Sequence, residues 1–406
     1  MSGPAGRLCG PAQQAELWWR RWAADWPQAS PLLLLAATET AAVPGISAAG
    51  ATPECRRRTA AADAELLLLG PHAPLPHALP PLPAGVTPAL ISHVALRELG
   101  LRPLVIDLGC PIAPMVPHLR LPPPAGAGAA ACLSGGRAMD PERVRALLEI
   151  GERWGEKPGF GGPAPLLIAE CVPGGTTTAQ AVLTGLGFDV GGLVSGSLHR
   201  PAHALKADLV ARGLDAAALV RSPQPLPPGG FPAGGEREGE RAKRVVAALG
   251  DPMQPLAAGL VLGAVRAGRP VLLAGGSQMA AVLALALELV PSAQRPRLAG
   301  SVAVATTAWL AAEPHSDLAL LLRRIGARWS VEPLGFAASL RFRDPIHPAL
   351  ADYERGYVKE GVGAGGLALL WEISGRPAAD LALACDAACQ ALLGPGVSSS
   401  PPPTVR

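Results

Sequence analysis

The 406-residue chain is 49% hydrophobic and carries 35 basic against 32 acidic residues, a formal charge of +3. That length and apolar content suffice for a sizeable core in one large or two ordinary domains. Charges of both signs spread along the chain exclude the basic footprint that nucleic acid or an anionic membrane surface demands, so a small-molecule partner is expected.

Residues 1–30 hold Trp18, Trp19, Trp22 and Trp26 beside Arg20 and Arg21. Their spacing predicts a short amphipathic helix ending at Pro27, an arm that docks on its own domain or on a twin subunit. Over 31–393, apolar runs alternate with glycine-bounded, alanine-rich stretches: LLLLAAT, ELLLLG, PLVIDLG, PLLIAE, PVLLAGG and GSVAVAT. This rhythm predicts an α/β fold, a mostly parallel, doubly wound, Rossmann-like three-layer sheet with a smaller added helical lobe. Residues 221–239, RSPQPLPPGGFPAGGEREG, are too rich in Pro and Gly for a helix interior or central strand and read as a surface loop. The tail 394–406 reads as disordered. The apolar stretch from Val271 to Val290 is broken by Gly275 and Gly276 and contains Gln278 and Glu288, so it predicts strand, turn and helix, not a membrane span.

Seven cysteines are odd in number and widely scattered, and no secretory leader is expected ahead of them. Reduced thiols and a cytoplasmic location follow. Cys385 and Cys389 share a helical face, yet no second Cys or His pair accompanies them, and they read as small buried residues. His199 and His203 have metal-compatible spacing with Pro201 between them, and no metal or other cofactor is expected. Asp63 and Glu65, just before an apolar run, read as cap or turn residues.

In a parallel sheet ligands gather beyond the carboxyl ends of the strands, which directs attention to three loops. In IAECVPGGTTTAQAVL a strand ends at Glu170, Gly174 and Gly175 permit close backbone approach, and Thr176, Thr177 and Thr178 open a helix. Exposed amides, hydroxyls and the positive helix end make an anion site there, although a plain capped turn has the same residues and no Walker lysine follows. VLLAGGSQMAAVLAL repeats the architecture with Gly275, Gly276, Ser277 and Gln278. GYVKEGVGAGGLALLWE sets Glu360 before Gly361, Gly363, Gly365 and Gly366, where a carboxylate held with a raised pKa could serve as a general base. Lys206, after SGSLHRPAHA, could reach a phosphate.

Together with VPGISAAGATPE (residues 43–54), AADAELLLLG and GDPMQP (250–255), these segments resemble the nicotinate-nucleotide:dimethylbenzimidazole phosphoribosyltransferases, in their diverged archaeal and cyanobacterial branch. The resemblance runs from about Leu32 to Trp371. It implies transfer of a phosphoribosyl group from nicotinate mononucleotide to 5,6-dimethylbenzimidazole or a related base, giving the α-ribotide of the cobamide lower ligand, in a homodimer. It further implies that Glu360 is the general base and that Glu170 orients substrate or stabilises positive charge on ribose. Gly174, Gly175, Thr176 and Thr177 would hold the 5′-phosphate, with Lys206 as a further phosphate partner. Gly275, Gly276, Gly361 and Gly363 would flank the nucleotide. ECVPGG carries an extra proline relative to the better-characterised bacterial enzymes, and their base-pocket residues have no match here. A non-catalytic nucleotide-binding protein, or a nucleosidase-type relative using water or another base, fits the same residues.

Overall fold

In the computed structural model, which describes residues 6–157, 164–219 and 238–394, five of the apolar runs form neighbouring parallel strands. The strands are β1 (Arg7–Cys9), β2 (Ser30–Leu35), β3 (Leu104–Asp107), β4 (Leu119–Arg120), β5 (Leu166–Cys171), β6 (Val271–Ala274), β7 (Val302–Thr306) and β8 (Leu334–Ala337). They lie in the order β1-β8-β7-β6-β5-β2-β3-β4, and every pairing is parallel except β1 on β8. The fold is thus the mostly parallel, doubly wound α/β sheet that the sequence predicts. All but the last two residues of the 221–239 loop, and the tail beyond Gly394, fall outside the described residues.

Side chains alternate across each strand, so each buried strand feeds two cores. Leu32, Leu34, Leu166, Ile168, Val271 and Leu273 enter one core with the helices Pro141–Glu156, Gly175–Gly185, Met253–Arg266 and Ser277–Leu289. Leu33, Leu35, Leu167, Ala169, Leu272 and Ala274 enter the other with Pro53–Leu69, Ala89–Leu99, Ala364–Ile373 and Ala378–Leu393. Continuous apolar runs are what burial on both faces requires.

Two expectations are corrected. ELLLLG is the end of the helix Pro53–Leu69, not a strand. Thr52 caps that helix by accepting from Cys55 N, Pro53 occupies its first turn, and no breaker interrupts the run until Gly70 at φ 80°. Asp63 and Glu65 therefore lie in a helix interior, and neither caps nor turns the chain: Asp63 accepts from Thr87 Oγ1 at 2.7 Å, and Glu65 accepts from the amides of His77 at 2.7 Å and Met115 at 2.8 Å.

The N-terminal helix Ala12–Asp25 buries Trp18 and Trp22, and Trp18 stacks on Phe336 of β8 at 5.2 Å. Cys385 and Cys389 are buried in the second core. No helix among the described residues is long and apolar enough to cross a membrane.

Candidate active site

Strand order runs one way through β2, β3 and β4 and the other way from β5 to β8, so winding reverses between β2 and β5. Loops leaving neighbouring strands in opposite senses open a crevice at such a point. A cavity of about 620 Å³ lies there, lined by residues that follow β5, β6 and β7 and by the segments 47–49, 79–88, 195–200 and 357–362.

Glu170 is the penultimate residue of β5 and is buried. Its Oε2 accepts from Val172 N at 3.0 Å, and its backbone carbonyl accepts from Val362 N at 3.0 Å, tying β5 to the 357–362 loop. Burial pushes the carboxyl up to about 8, and the charge of Glu360 adds to the shift. Gly174 at φ 81° turns the chain into the helix Gly175–Gly185, whose first turn faces the cavity. A side chain at 174 would meet Ala41 N at 3.0 Å, so the close turn needs glycine.

Glu360 stands at the mouth of the loop leading into the helix Ala364–Ile373. Thr306 Oγ1 (2.8 Å) and Thr307 N (2.9 Å) donate to its Oε2, and Gly361 N and Gly365 N (3.1 Å each) donate to its Oε1. Four donors fill the four acceptor positions of a carboxylate and fix its plane. Burial nevertheless raises its pKa above the ordinary range, against the pull of those donors. Three non-glycine residues of this loop, Val358 (φ 64°), Lys359 (φ 36°) and Val362 (φ 53°), adopt left-handed backbone, a strain of about 1–3 kcal/mol each that surrounding contacts must hold.

Beneath the helix start lies a buried polar network. Lys206 Nζ donates to Thr176 Oγ1 at 2.9 Å and to Ser195 O at 2.5 Å. Desolvation lowers its pKa to about 7, with Lys359 adding to the effect and Glu313 opposing it. Glu313 accepts from Lys359 Nζ at 2.5 Å, Ser195 Oγ at 2.5 Å and Ser316 Oγ at 2.6 Å. Asp251, from GDPMQP, is buried behind the helix and accepts from Thr178 Oγ1 at 2.5 Å.

The fold brings Glu170, Gly174, Gly175, Thr176, Gly276, Glu360 and Gly361 to the cavity wall. Lys206 touches that wall through Thr176. Thr177 is buried with an unpartnered hydroxyl, and Gly275 and Gly363 lie behind the wall as close-packing points. Among the described residues no group of His, Cys, Asp and Glu could hold a metal ion; His199 lies against Tyr357, and His203 Nε2 lies 2.7 Å from His315 O. Sequence reasoning missed Thr306 and Thr307, although they sit at the end of an apolar strand where the strand-end rule points. Glu313 and Ser195 carry no local signal, since only tertiary packing joins them to Lys359 and Lys206.

No family model matches the chain. It is 51% identical over 388 residues to a UPF0284 protein of Prochlorococcus marinus (strain MIT 9313), covering 93% of this chain and 91% of that one. A UPF0284 protein of Gloeobacter violaceus is 44% identical over 379 residues, covering 93% and 92%. Among solved structures, CobT from Thermus thermophilus superposes with a TM-score of 0.54 at 20% identity, covering 87% of this chain and 83% of that one. A nicotinate-nucleotide-dimethylbenzimidazole phosphoribosyltransferase from the same organism gives 0.53 at 19%, covering 87% and 82%. At such identities the likeness is one of fold.

Proposed function

Because the chain belongs to the UPF0284 protein family and shares its fold with CobT, we propose that it transfers the phosphoribosyl group of nicotinate mononucleotide to a nitrogenous lower-ligand base in cobamide assembly. The observation that carries this reading is the meeting of two carboxyls, buried Glu170 and half-buried Glu360, on the wall of one cavity with a helix N-terminus, behind which Lys206 bonds Thr176.

The pyridinium of the donor is an activated leaving group. As the C1′–N bond breaks, its electron pair returns to the ring nitrogen and nicotinate departs, while the acceptor's ring nitrogen forms the new bond to C1′. The acceptor's N–H proton must then be removed. Glu360 is suited to receive it: of its four donors only the Thr306 hydroxyl can rotate away, which frees a position on Oε2 for the incoming N–H. Two carboxyls in each other's field do not both ionise readily, and the one with more donors keeps the charge. Glu170 then retains its proton near neutrality and offers a hydrogen bond to the bound ribose. The first turn of Gly175–Gly185 and Lys206 supply the 5′-phosphate site, where a dianion would restore the charge that burial suppresses on Lys206.

The test is incubation with nicotinate mononucleotide and a panel of bases, following nicotinate and ribotide by chromatography. Wild type is expected to form a ribotide, and Glu360→Gln to lose on the order of 10²- to 10⁴-fold in kcat/KM, the usual contribution of a general base. Nucleotide binding with no nicotinate release for any base would replace this reading with that of a non-catalytic nucleotide-binding protein.

A further inference from the structure

Asp63 is a buried carboxyl in the cavity wall that the proposed chemistry leaves unused. It lies where the helix Pro53–Leu69, the proline-rich segment 79–88 and the end of β5 converge, and it is 4% exposed. Thr87 Oγ1 donates to Oδ1 at 2.7 Å and Cys171 Sγ to Oδ2 at 3.4 Å. The Cys171 thiol is held protonated, because burial and the neighbouring charge of Asp63 raise its pKa far above the usual range. Burial lifts the Asp63 carboxyl only to about 6. No Lys or Arg pairs with it among the described residues.

This wing of the cavity is walled largely by apolar side chains, Leu79, Pro81, Val86 and Val362, and its nearby hydroxyls are engaged, Thr87 on Asp63 and Thr59 on Ala49 O. It adjoins the Glu360 loop directly: a side chain on Gly361 would meet Pro88 at 3.4 Å, and Ser92 Oγ donates to Val362 O at 2.8 Å. The phosphate-side contacts of Lys206, Thr176 and Ser195 form a separate group. A flat, largely apolar ring suits the first wing, with its attacking nitrogen toward Glu360. A carboxylate has about four acceptor positions and only two are filled here, so a ring that covers Asp63 with methyl groups strips its remaining hydrogen bonds and returns none.

On the proposed phosphoribosyl transfer as its premise, we propose that Asp63 selects the acceptor: the ring this wing takes is a fused heteroaromatic carrying an exocyclic hydroxyl or amino donor aimed at the Asp63 carboxylate, in preference to a methylated ring. Asp63 is then a specificity residue that touches substrate on the side away from bond formation.

The test uses two rings of equal size, 5-hydroxybenzimidazole and 5-methylbenzimidazole, with 5-aminobenzimidazole as a second donor-bearing probe. Affinity is measured by calorimetry, which needs no turnover, and kcat/KM is measured beside it. Wild type is expected to favour the hydroxyl and amino rings by on the order of 10- to 100-fold, the range of a hydrogen bond to a charged group. The preference should vanish in Asp63→Leu and shrink in Asp63→Asn, whose amide oxygen still accepts, in preparations that bind nicotinate mononucleotide as wild type does. Equal or reversed preference in wild type overturns the proposal even if neither variant folds, as does preference unchanged in both variants. Selective, Asp63-dependent binding without turnover sustains Asp63 recognition and sinks the transferase reading. Turnover without selectivity does the opposite, and failure of all three rings to bind or react overturns both.

Discussion

Burial and the charge of Glu360 keep the proton on Glu170, which gives the site a pH signature. Glu170, pushed up to about 8, is to act protonated, so activity is expected to fall on the alkaline side as that proton leaves. Glu170→Gln keeps a donor that never ionises, and its rate profile should lack the fall near pH 8; an identical alkaline limb in wild type and variant would remove Glu170 from the assignment. The same shift bears on stability. A carboxyl whose folded pKa is raised above its unfolded value binds more protons when folded, so its contribution declines as pH rises between the two values. The Tm of wild type relative to Glu170→Gln is therefore expected to drop between about pH 5 and pH 8, measured by thermal melts of the ligand-free protein. At this scale the sequence was legible in the placement of Glu170, Glu360 and Thr176, whose glycine turns the fold brings to one cavity wall. Asp63 was misread because AADAELLLLG offers the same local pattern whether its acids cap a helix or lie buried within one. Only Thr87, 24 residues away, decides between them.

At the scale of elements, the position of Glu360 depends on how closely the helix Ala364–Ile373 approaches the strand ends. Gly363, at φ 77°, lies where a Cβ would come within 2.6 Å of Ala169 Cβ on β5. Gly363→Ala is expected to cost at least about 1–3 kcal/mol in chemical denaturation through overpacking, with added backbone strain. It should also lower kcat by tilting the carboxylate out of its four-donor cradle; wild-type kcat with lowered stability would separate the helix from catalysis. The central strands were readable from LLLLAAT, PLLIAE and PVLLAGG because burial on both faces leaves unbroken apolar runs. ELLLLG carries the same run on a helix, and periodicity cannot separate the two when leucines are consecutive. LGFA of β8 escaped notice because four residues with a glycine carry too little pattern.

Across the whole molecule, β8 would be an open sheet edge without the first 28 residues. The chain supplies antiparallel β1 on that edge and buries Trp18 over Phe336, with Trp22 packed on Trp18. Trp18→Ala is expected to cost about 3–5 kcal/mol, as for large aromatic truncations in a core. Urea denaturation with a loss below about 1 kcal/mol would show the helix to be merely resting on the sheet. The tryptophan spacing made the helix legible, whereas its target could not be read because Phe336 lies more than 300 residues away. The two helical layers share one sheet and no side chains, and each contributes half of the site: Gly175–Gly185 comes from one layer and Ala364–Ile373 from the other. The separation of the two carboxyls therefore works as a caliper whose jaws are set by different layers and joined at the hinge by the Val362 N–Glu170 O bond. Any substitution that slides one layer along the sheet, however remote, is registered at that gap as a change in how strongly the charge of Glu360 holds the proton on Glu170.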